Sequence, residues 1–175
     1  MNNQGKLIGI MKDTNLILKE FPTHVPKTNN KIKANKYWKI NSQSIYNGAI
    51  QRFTRAIVVN NIHSYILEQL KTQQLPKIDR PIQLQLDIYI PINYANIRRN
   101  KDGEISWKIP KDDYEPTNDE DNISWIWNKC IKDCLTKLKV WEDDTMYWCR
   151  GTSSLIYFVD NINDRRIEIS FKQVK

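Results

Sequence analysis

Apolar and polar residues alternate most regularly over residues 82–90. The apolar positions are Ile82, Leu84, Leu86, Ile88 and Ile90, and polar or amphipathic residues lie between them. A period of two turns one face of a strand toward a core and the other toward water. The pattern therefore predicts a β-strand that ends at Pro91.

A different period predicts an amphipathic helix over residues 122–138. Apolar side chains recur there every three or four positions, at Ile123, Ile126, Trp127, Cys130, Ile131, Cys134, Leu135 and Leu138. This spacing places them on one side of a helix, facing a core. The polar side then carries Asp121, Asn122, Lys129 and Lys132.

A longer helix is predicted from Ser42 or Ser44, either of which suits a helix N-cap, to about Leu70. Its apolar positions are Ile45, Ala49, Phe53, Ala56, Ile57, Tyr65, Ile66 and Leu70. The pair Asn60-Asn61 is a candidate for a kink. Pro76 lies beyond the predicted end, where it does not interrupt the helix.

Shorter patterns complete the predicted fold. They predict strands at Leu7–Met11, Leu16–Leu18, Met146–Cys149, Leu155–Asp160 and Arg166–Phe171, with a hairpin turn at Asn161–Asp164. Residues 21–40 read as a loop, and residues 92–118 as a long connection with a short strand near Ile105–Ile109. The whole chain, residues 1–175, is predicted to be one α+β domain with a mixed, mostly antiparallel sheet and two helices packed on it.

Charge adds a candidate partner to this picture. The chain has 27 Lys and Arg against 20 Asp and Glu, a formal net charge of +7. A basic balance attracts phosphate backbones, although many basic proteins only carry a solvated surface. No apolar run is long enough for a membrane span, and no signal peptide is evident, so we expect an intracellular, cytoplasmic protein without a membrane partner. The three cysteines show no zinc spacing and are expected to be buried thiols.

The acidic residues concentrate around the predicted helix of residues 122–138. Asp119-Glu120-Asp121-Asn122 precedes it, and Trp141-Glu142-Asp143-Asp144 follows it. Close carboxylates repel one another unless a cation lies between them, so the pair of segments is a candidate site for a divalent ion. The alternative is a capped helix start with solvated acidic turns. A calcium loop is a poor fit, because the required Gly and closing Glu are absent.

These residues resemble the RusA-type Holliday-junction resolvases, whose signature is Asp-x-Asp-Asn, a helix with a Lys, and Trp-x-Asp-Asp. The resemblance is specific over residues 119–144, and Pro26-Lys27-Thr28-Asn29-Asn30 is similar to the family's opening segment. It implies a RusA-like fold and Mg²⁺-dependent cleavage of four-way DNA junctions, with Mn²⁺ as a substitute ion. It also implies a homodimer of bacterial or phage origin with a role in DNA recombination and repair.

By the same resemblance, Asp119, Asp121 and Asp144 hold the Mg²⁺ ion, and Lys129 assists catalysis. The chain departs from the family at the lysine. The family has it four residues after the second Asp of the signature, where this chain has Trp125, and Lys129 lies eight residues after Asp121. Either the four extra residues form a loop that preserves the geometry, or they are helical and move Lys129 along the axis by about 6 Å.

Two basic clusters are candidates for contacts with a DNA backbone. The first contains Lys31, Lys33, Lys36 and Lys39, with Tyr37 and Trp38 between them, and the second contains Arg98, Arg99 and Lys101. Contacts from Lys and Arg to phosphate are independent of sequence and sensitive to salt. Solvated surface lysines are the alternative for both clusters. Trp107, Trp125, Trp127, Trp141 and Trp148 are expected in the core or in a dimer contact.

Two other functions stay open from the sequence. One is a non-catalytic DNA-binding accessory protein that retains the fold, since the shifted Lys129 removes part of the catalytic signature. The other is a partner-binding module whose acidic segment docks a basic protein.

Overall fold

The computed structural model describes residues 15–22, 24–26, 37–40, 45, 51–91, 97–99, 105–107, 120–143 and 145–174. Two long helices are present, α1 (Arg52–Lys71) and α2 (Glu120–Lys137). The main sheet is built from β1 (Leu16–Lys19), β4 (Ile82–Pro91), β7 (Cys149–Val159) and β8 (Arg166–Gln173). Two separate pairs of short strands are β2 (His24–Pro26) with β3 (Tyr37–Lys39), and β5 (Ile97–Arg99) with β6 (Ile105–Trp107).

The main sheet has the strand order β1-β8-β4-β7. β8 runs antiparallel to both β1 and β4, whereas β4 and β7 are parallel. The predicted α+β class, with a mixed and mostly antiparallel sheet and two helices, is therefore confirmed.

The core lies between the helices and one face of the sheet. Alternate residues of β4, namely Leu84, Leu86 and Ile88, are fully buried, as their spacing predicts. The predicted apolar stripe of α2 is buried from Ile123 to Leu135. At its centre, the Trp127 ring contacts the edges of Phe21 at 5.2 Å and Tyr65 at 6.2 Å between centroids. Truncating such a side chain to alanine costs about 3–5 kcal/mol.

The helix α1 differs from its prediction in two respects. Gln51 is extended (φ −62°, ψ 146°), so the prediction of one continuous helix to Leu70 is wrong and α1 begins at Arg52; Ser42 and Ser44 lie outside the described residues. Asn60-Asn61 causes no break, because tertiary packing on both sides outweighs the weak propensity of asparagine. The buried residues are Val58, Ile62, His63, Ile66 and Leu70, whereas Phe53 is 84 % exposed and Ala56 is also exposed.

The end of the chain also departs from expectation. Residues 146–148 form a turn rather than a strand, since the backbone N–H groups of Trp148 and Cys149 both donate to Thr145 O, at 3.1 and 3.0 Å. The predicted hairpin between the last two strands is wrong as well. β4 lies between β7 and β8 and pairs with both, because its five buried apolar residues suit the sheet centre. A short 3₁₀ helix, Ile162–Asp164, connects β7 to β8.

The predicted loop over residues 21–40 contains β2 and β3, whose three-residue pairing is too short to leave a clear period in the sequence. The predicted strand near Ile105–Ile109 is present as β6, with β5 as an unpredicted partner. Leu7–Met11 lies outside the described residues. Neither of the described helices is long and apolar enough to cross a membrane.

Candidate nucleic-acid interface

The exposed side of α2 carries a basic depression, which we call the Lys129 depression. It has a volume of about 400 Å³ and is lined by Trp125, Asn128, Lys129, Lys132 and Thr152. The helix creates it because the apolar stripe turns residues 123, 126, 127, 130 and 131 inward, which leaves residues 125, 128, 129 and 132 on the outer side. Lys129 is exposed on the polar side, as the sequence predicts.

The wall of the depression is fixed by a contact between helix and sheet. Asn128 Nδ2 donates a hydrogen bond of 3.0 Å to Ser154 Oγ on β7. This bond holds α2 against the strand that also supplies Thr152. Among the described lining residues there is no carboxylate, so the two lysine ammonium groups give the depression a positive potential.

Trp125 adds an aromatic surface beside these charges. Its side chain is 46 % exposed, so the expectation of a core position is wrong for this residue. The expectation is confirmed for Trp127 and Trp141, which are 0 % and 3 % exposed. Trp148 is partly buried against the core, and the side chain of Trp107 lies outside the described part of the structure. An exposed indole next to two ammonium groups suits a ligand with both flat bases and phosphates.

Helical spacing places Asp121 on the same side of α2 as this depression. Asp121 lies in the first turn, Trp125 one turn later and Lys129 two turns later. Because the helix is continuous from Glu120, the four extra residues before Lys129 are helical and do not form a loop. The Cα of Lys129 therefore lies about 12 Å along the axis from that of Asp121. Helical side chains tilt toward the N-terminus, which brings the ammonium group nearer than this rise.

The second acidic segment lies beyond the other end of α2. Trp141 Nε1 donates a 2.6 Å hydrogen bond to Thr136 Oγ1, and Val140 N donates to Leu135 O at 3.0 Å. These bonds hold the segment that continues to Asp143 against the last turns of α2. The helix from Asp121 to Thr136 rises about 22 Å. Within one chain, α2 thus separates the first acidic segment from Asp143.

Several predicted site residues cannot be placed. Asp119 and Asp144 lie outside the described residues, as do Lys31, Lys33 and Lys36. For Asp121, Arg98 and Arg99 only the backbone is described, in α2 and β5 respectively. The described residues contain no group of three or more His, Cys, Asp or Glu side chains able to hold a metal ion. The Mg²⁺ ligands therefore stay a prediction.

A larger depression of about 710 Å³ lies at the far end of α2. It is lined by Lys77, Ile78, Asp79, Lys139, Val140, Trp141, Glu142 and Trp148. Two carboxylates offset its two lysines, and the Trp141 N–H is already bonded to Thr136. Its charge is therefore less suited to a polyanion than that of the Lys129 depression.

The sequence predicts a functional role for Lys129 but not for the other residues of this surface. It predicts Lys132 only as a polar helix position, and it predicts Trp125 in the core or a dimer contact. The signal that was available is the spacing of Trp125, Lys129 and Lys132, which recur every three or four residues opposite the apolar stripe. The contribution of Thr152 depends on how α2 packs on β7 and has no local signal.

No protein-family model matches the chain, and a comparison with curated proteins returns no match. The likeness to the RusA-type resolvases therefore depends on the residues of the two acidic segments and of the helix between them.

Proposed function

We propose that this chain is a Mg²⁺-dependent, structure-selective DNA endonuclease of the RusA type that acts on four-way junctions in recombination and repair. The observation that carries the proposal is the exposed side of α2. There the backbone of Asp121, the exposed indole of Trp125 and the exposed ammonium of Lys129 follow one another along a single helical stripe.

The residues on this stripe suit phosphodiester hydrolysis. Anionic oxygens on the phosphate repel a nucleophile, and a hard cation with carboxylate ligands offsets that repulsion and activates water. In the proposal Asp119 and Asp121 offer such ligands at the start of α2. Lys129, two turns further on, binds and neutralises the phosphate next to the scissile one rather than touching the ion.

Asp144 is the third proposed Mg²⁺ ligand. The segment that leads to it is bonded through Trp141 to Thr136, about 22 Å of helix from Asp121, and Asp144 itself lies outside the described residues. Direct Mg²⁺–oxygen bonds are about 2.0–2.1 Å long. In the proposal, a second segment supplied by another chain would bring both acidic segments to one ion, which is consistent with the homodimer that the resemblance implies.

A second candidate function is a non-catalytic DNA-binding accessory protein. The same 22 Å separation favours it, as does the helical position of the four extra residues, which removes Lys129 from the place that the family's lysine occupies. In that case the Lys129 depression binds DNA and no strand is cut.

A cleavage assay on a synthetic four-way junction separates the two candidates. Wild-type protein is incubated with Mg²⁺, with Mn²⁺ and with a chelator, beside the variant Asp121→Asn, which keeps the side-chain volume but removes the charge. The endonuclease proposal predicts cutting that depends on the metal and is lost in Asp121→Asn. Equal junction binding by both proteins, with no cutting by either in any metal, supports the accessory protein instead.

A further inference from the structure

The two edges of the main sheet differ in whether their outward backbone groups have hydrogen-bond partners among the described residues. At the β1 edge, α1 and the residues after it supply partners for the outward backbone groups. Gln73 Oε1 accepts from Ile17 N at 2.9 Å, and Gln73 Nε2 donates to Ile17 O at 2.6 Å. Tyr65 Oη donates to Lys19 O at 2.6 Å, and Gln69 Oε1 accepts from Lys19 N at 3.4 Å. This edge is therefore closed to any further strand.

The opposite edge, formed by β7, has no such cover among the described residues. Among the strands that the structure describes, β7 is the longest, with eleven residues, and it pairs with β4 alone. Its residues Gly151 to Val159 include no charged side chain and no proline. Native edge strands are usually short, charged, bulged or covered, because an open edge templates pairing with another strand. β7 has none of these protections along that stretch.

Large apolar side chains flank this edge on both faces of the sheet. Leu155 and Tyr157 lie on the face away from the helices, 50 % and 39 % exposed. Phe158 lies on the helix face and is 53 % exposed. Tyr157 is held rigid, since its ring stacks on Tyr89 at 4.8 Å and the guanidinium of Arg166 lies 3.6 Å from the Tyr89 ring.

We propose that β7 pairs antiparallel with β7 of a second copy of this chain, which joins two four-stranded sheets into one of eight strands. Antiparallel pairing of a strand with itself is self-complementary about a two-fold axis, so every exposed apolar group meets the same set of groups. A chain with a net charge of +7 repels its own copies over most of its surface, but the uncharged stretch Gly151–Val159 does not.

The exposed apolar side chains of β7 supply part of the area that a stable contact needs. Two aromatic rings and one leucine at roughly half exposure offer about 300 Å² per protomer. A standard protein–protein interface buries about 800 Å² per partner, and the edge backbone of β7 with its flanking residues supplies further area. Eight or so additional backbone hydrogen bonds give the contact its register.

The pairing has consequences for the Lys129 depression. A two-fold axis perpendicular to the sheet keeps both pairs of helices on the same face, so both depressions face one side of the dimer. Thr152, on β7, lies at the rim of each depression and close to the line along which the two β7 strands pair, which we call the seam. Antiparallel pairing also reverses the strand direction of the second copy. The first turn of α2 in one chain therefore lies near the end of the sheet at which β7 of the other chain begins. The pairing itself does not depend on the proposed function.

The mass of the full-length protein in solution tests this inference. Light scattering after size exclusion at micromolar concentration is expected to give twice the mass of the 20.8 kDa chain. The double variant Leu155→Lys with Tyr157→Lys places like charges opposite each other at the seam, and the mass is expected to fall by half. The matched control, Ser64→Lys with Gln74→Lys, adds the same charge at exposed positions of α1 and the following loop and is expected to stay dimeric.

Hydrogen exchange of the β7 amides in wild-type protein gives a second test, which does not depend on whether the Leu155→Lys, Tyr157→Lys variant folds. In wild type, the outward amides of Gly151–Val159 are expected to exchange more slowly as protein concentration rises into the dimeric range. Three results overturn the inference: a wild-type monomer, a seam variant that stays dimeric and folded, or β7 amides whose protection does not depend on concentration. The last result would show that another part of the same chain covers this edge.

Discussion

His63 of α1 faces Asp133 of α2, with His63 Nε2 3.3 Å from Asp133 Oδ2. On the other side of the ring, His63 Nδ1 lies 3.1 Å from Lys137 Nζ, one helical turn beyond Asp133. Because an ammonium group only donates, Nδ1 accepts from Lys137, and the proton of the neutral ring is on Nε2, facing the carboxylate. The alignment at Nε2 is too poor for a good hydrogen bond, so that contact is mainly electrostatic. The imidazole joins the two helices in its neutral form.

Acid is therefore expected to loosen the contact between α1 and α2. Burial lowers the pKa of His63, the Lys137 ammonium lowers it further, Asp133 opposes the shift and Lys129 adds a small lowering effect. The folded protein then binds this proton less readily than the unfolded chain, whose histidine titrates near pH 6.5. The free energy of unfolding should fall as pH drops below about 6.5, by at most about 1.4 kcal/mol per pH unit for one proton.

The variant His63→Gln provides the comparison for this prediction. Urea unfolding from about pH 7.5 to about pH 5.5 is expected to show a smaller loss of stability in the variant than in wild type. His24 is present in both proteins, so its titration cancels in the difference. Parallel pH profiles for the two proteins would mean that His63 keeps its ordinary pKa when folded.

The elements that sequence reasoning placed correctly are those with a long, unambiguous period. β4 alternates over nine residues, and α2 keeps its stripe over four turns, so each pattern fits only one structure. For α1, the expected stripe mixed two faces, because Phe53 and Ala56 share helical spacing with Ile57 but point outward. The burial of Val58, Ile62 and Ile66 depends on the position of β1 and α2, which the local sequence does not contain.

A second prediction concerns the closed edge of the sheet at β1. Gln73→Ala removes both hydrogen bonds to the backbone of Ile17, which leaves a partly buried N–H and C=O without partners. The free energy of unfolding is expected to fall by about 1–3 kcal/mol. Gln73→Glu should also destabilise, since a carboxylate accepts from Ile17 N but cannot donate to Ile17 O. Chemical denaturation measures both effects.

The neighbouring exposed glutamine supplies the control. Gln74→Ala is expected to change stability by no more than about 0.5 kcal/mol. If Gln73→Ala is as mild as Gln74→Ala, the side chain of Gln73 does not hold the β1 edge in solution.

The order of strands shows where sequence reasoning reaches its limit. The segment Leu155–Asp160, a short turn and Arg166–Phe171 give the local pattern of a hairpin, and strands adjacent in sequence usually pair. They do not pair here, because β4 occupies the place between them. The same long-range choice leaves β7 at the edge, and it creates the rim of the Lys129 depression. A candidate site built on such packing is visible only in part from its helix.

A third prediction concerns the thiols. Burial raises the pKa of Cys130 and of Cys134 to about 12, and all three cysteines are buried and unpaired. The thiolate is the reactive form, so native Cys130 and Cys134 should react with a thiol reagent about a thousandfold more slowly than ordinary thiols. We expect almost no labelling of the folded protein and three labelled residues after unfolding. Rapid labelling of either Cys130 or Cys134 in the native protein would contradict their burial.

The proposed function requires that the Lys129 depression bind DNA, and a salt titration of junction binding measures this contact. Fluorescence anisotropy compares wild type with the double variant Lys129→Gln and Lys132→Gln. Its control, Lys71→Gln with Lys172→Gln, removes the same charge at exposed positions on α1 and β8. If both depression lysines neutralise phosphates, the slope of log affinity against log salt should fall by about 2 in the first variant and stay near the wild-type value in the control. Equal slopes and affinities for the two variants would contradict the account, because binding would then depend on overall charge rather than on this surface of α2.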